Sequence, residues 1–152
     1  MDRFDSVMQS VRNKFAELVA SPKFTVSSLP ADMPEPGIYI FSERGVCLYV
    51  GRTNKLRNRL LYHTRANHNQ ATFAFLLARR ETGKLKPSYR PEGSRRNLLE
   101  DPDFRASFDA ARNRITKMDV QFVEEDDPVN QTILEVFAAV EMQAKFNDFN
   151  NH

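Results

Sequence analysis

Tyr39 and Tyr49 stand ten residues apart in "PGIYIFSERGVCLYVG", and Arg59 and His63 follow four residues apart in "LRNRLLYHTR". Strand side chains alternate between faces. An antiparallel hairpin whose paired residue numbers sum to an even total therefore puts both tyrosines on the same side of the sheet. A four-residue step on a helix puts Arg59 and His63 on one stripe. Two phenols, a guanidinium and an imidazole can then line one cleft, and Gly51 at the end of the second strand allows close backbone approach. Taken alone, the two tyrosines are also ordinary strand residues, packed by the ring and wetted at the hydroxyl.

The elements that must position these groups can be read from periodicity. Phe4, Val7, Val11, Phe15 and Leu18 recur at three- and four-residue steps, which predicts an amphipathic helix over 3–20 ending before Ser21-Pro22. The stretch 22–36 carries four prolines and is too short and too apolar for free disorder, so it reads as an ordered connector. Strands near 37–42 and 46–51 are joined through "SERG", where Gly45 can take a positive φ. A helix capped by Thr53 or Asn54 follows with Leu56, Leu60 and Leu61 turned inward, and a second helix over about 70–82 ends at Gly83. "KLKPSYRPEGSRRNLLED" reads as a basic loop. Asp101-Pro102 starts a helix with Phe104, Phe108, Ala111 and Ile115 on one face, "MDVQFVEE" alternates like a strand, and a helix from about Pro128 to Phe146 turns Ile133, Leu134, Phe137 and Val140 to a core.

With 152 residues, 41% apolar and 28% charged, the chain has the composition of one globular domain. No apolar run approaches the roughly 20 residues that span a bilayer, and the acidic, amphipathic start is unlike a signal peptide, so a cytoplasmic protein without a membrane partner is expected. Cys47 is the single cysteine, and the histidines at 63, 68 and 152 lack zinc-ligand spacing, which excludes a structural metal finger. The net charge of +2 is unevenly spread: residues 51–117 hold 16 Lys/Arg against 6 Asp/Glu, whereas residues 118–152 hold 1 against 8. A basic middle is often only a solvated surface, but clustered arginine is also the footprint of a phosphate-backbone partner.

"GIY", ten residues from tyrosine to tyrosine, then "YVG", an arginine eight residues beyond Gly51 and a histidine four further on resemble the GIY-YIG nuclease superfamily. The resemblance covers residues 36–64 and about 119–147. It implies an α+β fold, a small three-stranded antiparallel sheet flanked by helices, in a single domain over 1–152. That domain would comprise an N-terminal helix at 3–20, a catalytic core at 36–64 and 119–147, and a basic helical insertion at 65–118. It also implies a glutamate on a later helix that binds one divalent metal. Glu135 takes that place, twelve residues before Asn147, in keeping with the family's glutamate followed by an aromatic-Asn end. The stretch 65–118 matches no family pattern, and Arg52 stands after Gly51 where relatives often carry lysine, serine or another short polar residue.

The resemblance further implies a magnesium-dependent (or manganese-dependent) endonuclease acting on DNA, with RNA and the choice between monomer and homodimer left open. The expected catalytic residues are Tyr39, Tyr49, Arg59, His63 and Glu135. Glu135 would hold the metal, a hard carboxylate for a hard cation. Arg59 would clamp a non-bridging phosphate oxygen with its planar fork. Tyrosine has a reference pKa of about 10, so Tyr39 as general base needs cationic neighbours, a field that Arg59, the metal and His63 would supply. His63 would relay or position the Tyr39 proton and Tyr49 would orient water or phosphate. Arg52 and Asn147 are further site residues. In the insertion, Arg79, Arg80, Lys84, Lys86, Arg90, Arg95 and Arg96 are the expected phosphate contacts, on composition alone. The alternative is a non-cleaving nucleic-acid-binding or interaction module on the same fold, against which the intact set of polar residues argues.

Overall fold

The computed structural model describes residues 1–67, 71–84, 95–147 and 149. The chain gathers into two compact units, Met1–Asn58 with Met118–His152, and Arg59–Lys117. The first holds a three-stranded antiparallel sheet of order β2-β1-β3, with β1 at Gly37–Glu43, β2 at Val46–Thr53 and β3 at Asp119–Glu124. The α+β class and small antiparallel sheet expected from the sequence are thus present.

The hairpin turns at Arg44 and Gly45, both at positive φ (53° and 79°), the two-residue turn whose twist suits right-handed strands. From Gly37↔Thr53 to Phe41↔Tyr49 every pairing sums to the same even total, and the register shifts between Phe41 and Ser42. Tyr39 therefore faces Gly51 across the ladder, and Tyr39, Phe41 and Tyr49 share one side with Phe122 of β3. The other side is the core: Ile38, Ile40, Val50 and Val123 pack with Val11 and Leu18 of α1 (Arg3–Ala20) and with Leu134, Ala138 and Ala139 of α6 (Pro128–Glu141).

Helix α1 begins in a reciprocal capping box between Asp2 and Asp5 and has the bounds that periodicity predicts. Phe4, expected on its inner face, is 62% exposed, because the first turn lies beyond the packed stripe. The proline-rich connector is ordered. Phe24 exchanges two main-chain hydrogen bonds with Val120 on the outer edge of β3, and the Arg57 guanidinium donates to the carbonyls of Pro30 and Ala31.

Asp127 caps α6 by accepting from the amides of Val129 and Asn130, both at 2.9 Å. The helix ends at Glu141, five residues before the predicted Phe146. Gln143 then takes φ 51° and turns the chain, so that Phe146 and Asn147 run along β2 instead of continuing the helix. Val140, expected in the core, is 65% exposed, because it shares a face with the exposed Val136, away from the buried stripe of Leu134 and Ala138.

The helix expected to begin at Thr53 or Asn54 begins at Leu56, because Thr53 still belongs to β2. This short helix, α2 (Leu56–Tyr62), contains the boundary between the two units. In the second unit, α3 (Thr72–Thr82) ends at Gly83 with φ 78°, and α5 (Pro102–Thr116) starts from an Asp101 cap. Phe75 of α3 packs at 5.1 Å from Phe104 and 6.1 Å from Phe108 of α5. The stretch expected as a loop before Asp101 holds a further helix, α4 (Arg95–Glu100), which buries Leu98.

A Cβ placed on Gly51 would lie 2.2 Å from the ring and the hydroxyl of Tyr39. The ring is rigid and its neighbours are buried, so it must move or the strands must part. Gly51→Ala is therefore expected to cost about 1–3 kcal/mol of stability, the usual range for overpacking. Chemical denaturation of the two proteins measures this, and a variant as stable as the parent refutes the fit.

Candidate active site

Tyr39 and Tyr49 lie on one face with ring centroids 6.4 Å apart, as the even register requires. Tyr39 is 1% exposed and also packs edge-on against Phe41 at 5.8 Å. The glycine opposite Tyr39 makes room for that ring: the close approach expected at Gly51 is made by the protein's own tyrosine.

Glu135 comes from α6, which packs on the opposite face of the sheet, and its carboxylate reaches the outer edge of β2. It is half-buried there, beside Arg52. Burial raises its pKa above the ordinary glutamate value, while the nearby Arg52 charge and main chain pull it down less strongly. Twelve residues on, Asn147 also meets this edge: its Oδ1 accepts from the Val50 amide at 2.8 Å and its Nδ2 donates to the Val50 carbonyl at 2.7 Å. The amide thus takes the place of a strand neighbour, and the amide of Phe146 adds a bond to the Leu48 carbonyl at 2.9 Å.

Arg59 and His63 belong to the second unit. They are one turn apart, with the His63 amide donating to the Arg59 carbonyl at 3.3 Å, and Arg59 Nη2 donates to Thr72 Oγ1 at 3.3 Å. His63 is fully buried, edge-on to Phe73 at 6.4 Å. Burial, and secondarily the Arg59 charge, push its pKa well below the ordinary histidine value. A neutral imidazole cannot contribute to the positive field expected of it around a tyrosinate, and the burial that keeps it neutral also makes it a weak proton acceptor.

The expected phosphate contacts differ in what surrounds them. Arg79 is buried, donates to the Lys84 carbonyl at 3.2 Å and lies 4.8 Å over the Phe75 ring, and Arg95 lies 5.0 Å over the same ring. Burial, then Arg95, lower the Arg79 pKa. Lys84 pairs with Asp101 at 3.2 Å, Arg80 is exposed, and Arg96 is highly exposed at 4.0 Å from Glu100. Lys86 and Arg90 lie outside the described residues.

Among the described residues no three His, Cys, Asp or Glu side chains cluster as a metal-binding group. A lone, partly desolvated carboxylate nevertheless fits magnesium, which keeps most of its waters and takes one or two protein carboxylates. Sequence reasoning passed over Gln131. It is 1% exposed on the same side of α6 as Glu135, and its Nε2 donates to the carbonyls of Glu125 (2.7 Å) and Thr53 (3.4 Å) and to Asn54 Oδ1 (3.3 Å). The available signal was a glutamine in step with Leu134 and Ala138 on an otherwise apolar helical stripe.

No protein-family model and no curated protein matches this chain. Solved structures do. The chain is similar to the GIY-YIG N-terminal endonuclease domain of UvrC from Thermotoga maritima bound to its catalytic magnesium, at 19% identity and a TM-score of 0.41, over 97% of this chain and 100% of that one. A tyrosine-to-phenylalanine point mutant of that domain, bound to its catalytic divalent cation, matches at 17% identity and a TM-score of 0.41 over the same shares. An asparagine-to-alanine point mutant matches at 18% and 0.38, over 97% of this chain and 99% of that one.

A histidine held neutral in the native state and free to ionise when unfolded makes the protein acid-labile. Above the unfolded pKa of about 6.5 neither state binds the proton. Below it the unfolded state alone does, so stability falls with pH at up to about 1.4 kcal/mol per unit. His63→Gln should flatten the stability profile between pH 6.5 and 5. Denaturation midpoints at four pH values check this, and parallel profiles for the two proteins refute it.

Proposed function

We propose that the chain is a divalent-metal-dependent endonuclease that hydrolyses phosphodiester bonds of DNA. The observation that carries the reading is the Tyr39–Tyr49 pair on one face of the sheet, with Tyr39 seated over Gly51, the arrangement that "GIY" and "YVG" require if their tyrosines serve one site. The half-buried carboxylate of Glu135 supports it.

In this reading Tyr39 is the general base: deprotonated ahead of the step, its phenolate removes a proton from the attacking water. The new oxygen–phosphorus bond forms as the bond from phosphorus to the 3′ oxygen breaks, leaving a 5′-phosphate and, after protonation, a 3′-hydroxyl. Tyr49 orients the water or the scissile phosphate. Arg59 holds a non-bridging oxygen through its fork, positive charge placed where the transition state gathers negative charge. Glu135 would hold magnesium, which when bound polarises the phosphate and stabilises the leaving oxygen. The second unit would grip the backbone through exposed cations such as Arg80 and Arg96, a contact indifferent to sequence.

Purified protein incubated with duplex, branched and single-stranded DNA and with RNA, with and without magnesium, tests the reading directly. Glu135→Ala should lose cleavage by about a thousand-fold or more, while DNA binding stays within a few-fold, because the metal acts on the transition state more than on docking. Undiminished magnesium-dependent cutting by this variant overturns the metal assignment, and tight binding without any cutting by the parent favours the non-cleaving module.

The two neighbouring arginines of α4 should separate. Arg96→Ala should reduce the slope of log affinity against log salt by about 0.9, one duplex phosphate contact, equally on two unrelated sequences. Arg95→Ala should instead lower the melting temperature, through loss of its packing on Phe75. Binding isotherms at four salt concentrations and a melting curve decide between these roles, and an unchanged slope for Arg96→Ala removes it from the interface.

A further inference from the structure

The outer edge of β2 is occupied at successive outward-pointing residues. Phe146 serves Leu48 and Asn147 serves Val50, Glu135 stands beside Arg52, and beyond it Gln131 serves Thr53 and Asn54. Three of these attachments are dedicated to holding α6 and its C-terminal continuation in place. The Glu135 carboxylate is also the residue read above as the metal ligand.

Gln131 is one turn before Glu135, and its amide joins three pieces of chain: the end of β2, the exit of β3 at Glu125, and α6 itself. A glutamine amide has only two N–H groups for these three acceptors, so the group is fully engaged and fixed. It is also nearly inaccessible to water, so it holds this end of α6 at a set height along β2 without competition from solvent. The height of the helix decides where the next turn delivers its side chain.

We infer that Gln131 is a positioning residue for Glu135: by locking the first turns of α6 to the end of β2 it sets the place at which the Glu135 carboxylate receives a divalent cation. The inference rests on the reading of Glu135 as the metal ligand. It differs from a general contribution to folding, and the chain contains a matched control. Gln121 of β3 is 5% exposed and its Nε2 donates to the carbonyls of Leu18, Val19 and Ser21 at the end of α1. It is the same side chain, comparably buried, bonded to three carbonyls, but it anchors α1 instead of α6.

The test is the binding of manganese(II) alone, followed by water-proton relaxation or calorimetry on the full chain, so that no activity is needed. Gln131→Met keeps the side chain's shape and removes its donors. It should weaken manganese binding about tenfold or more, the usual effect of removing a group that orients a metal ligand. Gln121→Met should lower the melting temperature comparably and leave manganese affinity unchanged. Should Gln131→Met fail to fold, Asn54→Ala removes one of the three acceptors and should weaken binding about threefold. Parental affinity in Gln131→Met, or in Asn54→Ala where that variant is the one available, overturns the inference while leaving the metal site standing. Equal weakening by Gln121→Met also overturns it, because the effect would then be one of general stability. A parent that binds no manganese, or a Glu135→Ala variant that binds as the parent does, overturns the reading of Glu135 and this inference with it.

Discussion

The first unit depends on a constraint at the outer edge of β2. An edge strand leaves every second amide and carbonyl without a strand neighbour, and such groups must find partners or water. Here they find Phe146, Asn147 and Gln131 in succession. The chain satisfies the edge with a helix and its tail, and that choice explains the odd features nearby. Helix α6 stops early, Gln143 accepts a positive φ, and the segment after it turns back along the strand. A continued helix would have carried Asn147 away from Val50.

The residues of the proposed chemistry are divided between units of opposite charge. From the sequence, Arg59–Lys117 holds 13 Lys/Arg against 6 Asp/Glu, and the rest of the chain holds 9 against 14. Tyr39, Tyr49 and Glu135 thus belong to the acidic unit, while Arg59 and His63 belong to the basic one. A polyanion is drawn to the second unit and repelled by the net charge of the first. Much of the basic unit's charge is nevertheless occupied internally. Arg112 donates to the Thr64 carbonyl and to Asp109, Arg105 also meets Asp109, and Arg79 is packed on Phe75. Formal charge therefore overstates the attraction, and exposure decides which cations matter.

What was legible in the sequence was what local periodicity and pairing rules encode. The bounds of α1, the turn at Gly45, the start of α5 at Asp101-Pro102 and the common side of Tyr39 and Tyr49 all follow from rules that act within about ten residues. What was not legible depended on long-range partners. Nothing near Val140 signals that the chain must reverse after Met142, because the reason lies at Val50, ninety-seven residues before Asn147. Helix α4 was read as loop because basic, Pro- and Gly-containing sequence surrounds it, and only the burial of Leu98 fixes it as a helix. Arg79 and Arg96 look alike in sequence. One is buried and the other highly exposed, and the difference is set by Phe75.

The same reasoning bears on why position 135 is a glutamate. It stands beside Arg52 at the edge of β2, and a glutamine would fill that place equally well. The carboxylate carries a desolvation cost that the amide would not, as the upward displacement of its pKa shows. The nearby Arg52 charge offsets that cost only in part. Filling that place accounts for a side chain of this length at this height on α6 and leaves the negative charge unexplained by the fold. A charge kept half-buried, short of compensation and held at one height along a strand edge by its neighbours is what a hard cation requires of a single protein ligand. In the proposed function the charge on Glu135 is thus the feature of this edge that serves chemistry, and the bonds of Gln131 and Asn147 are what the fold supplies to keep α6 and its tail in place.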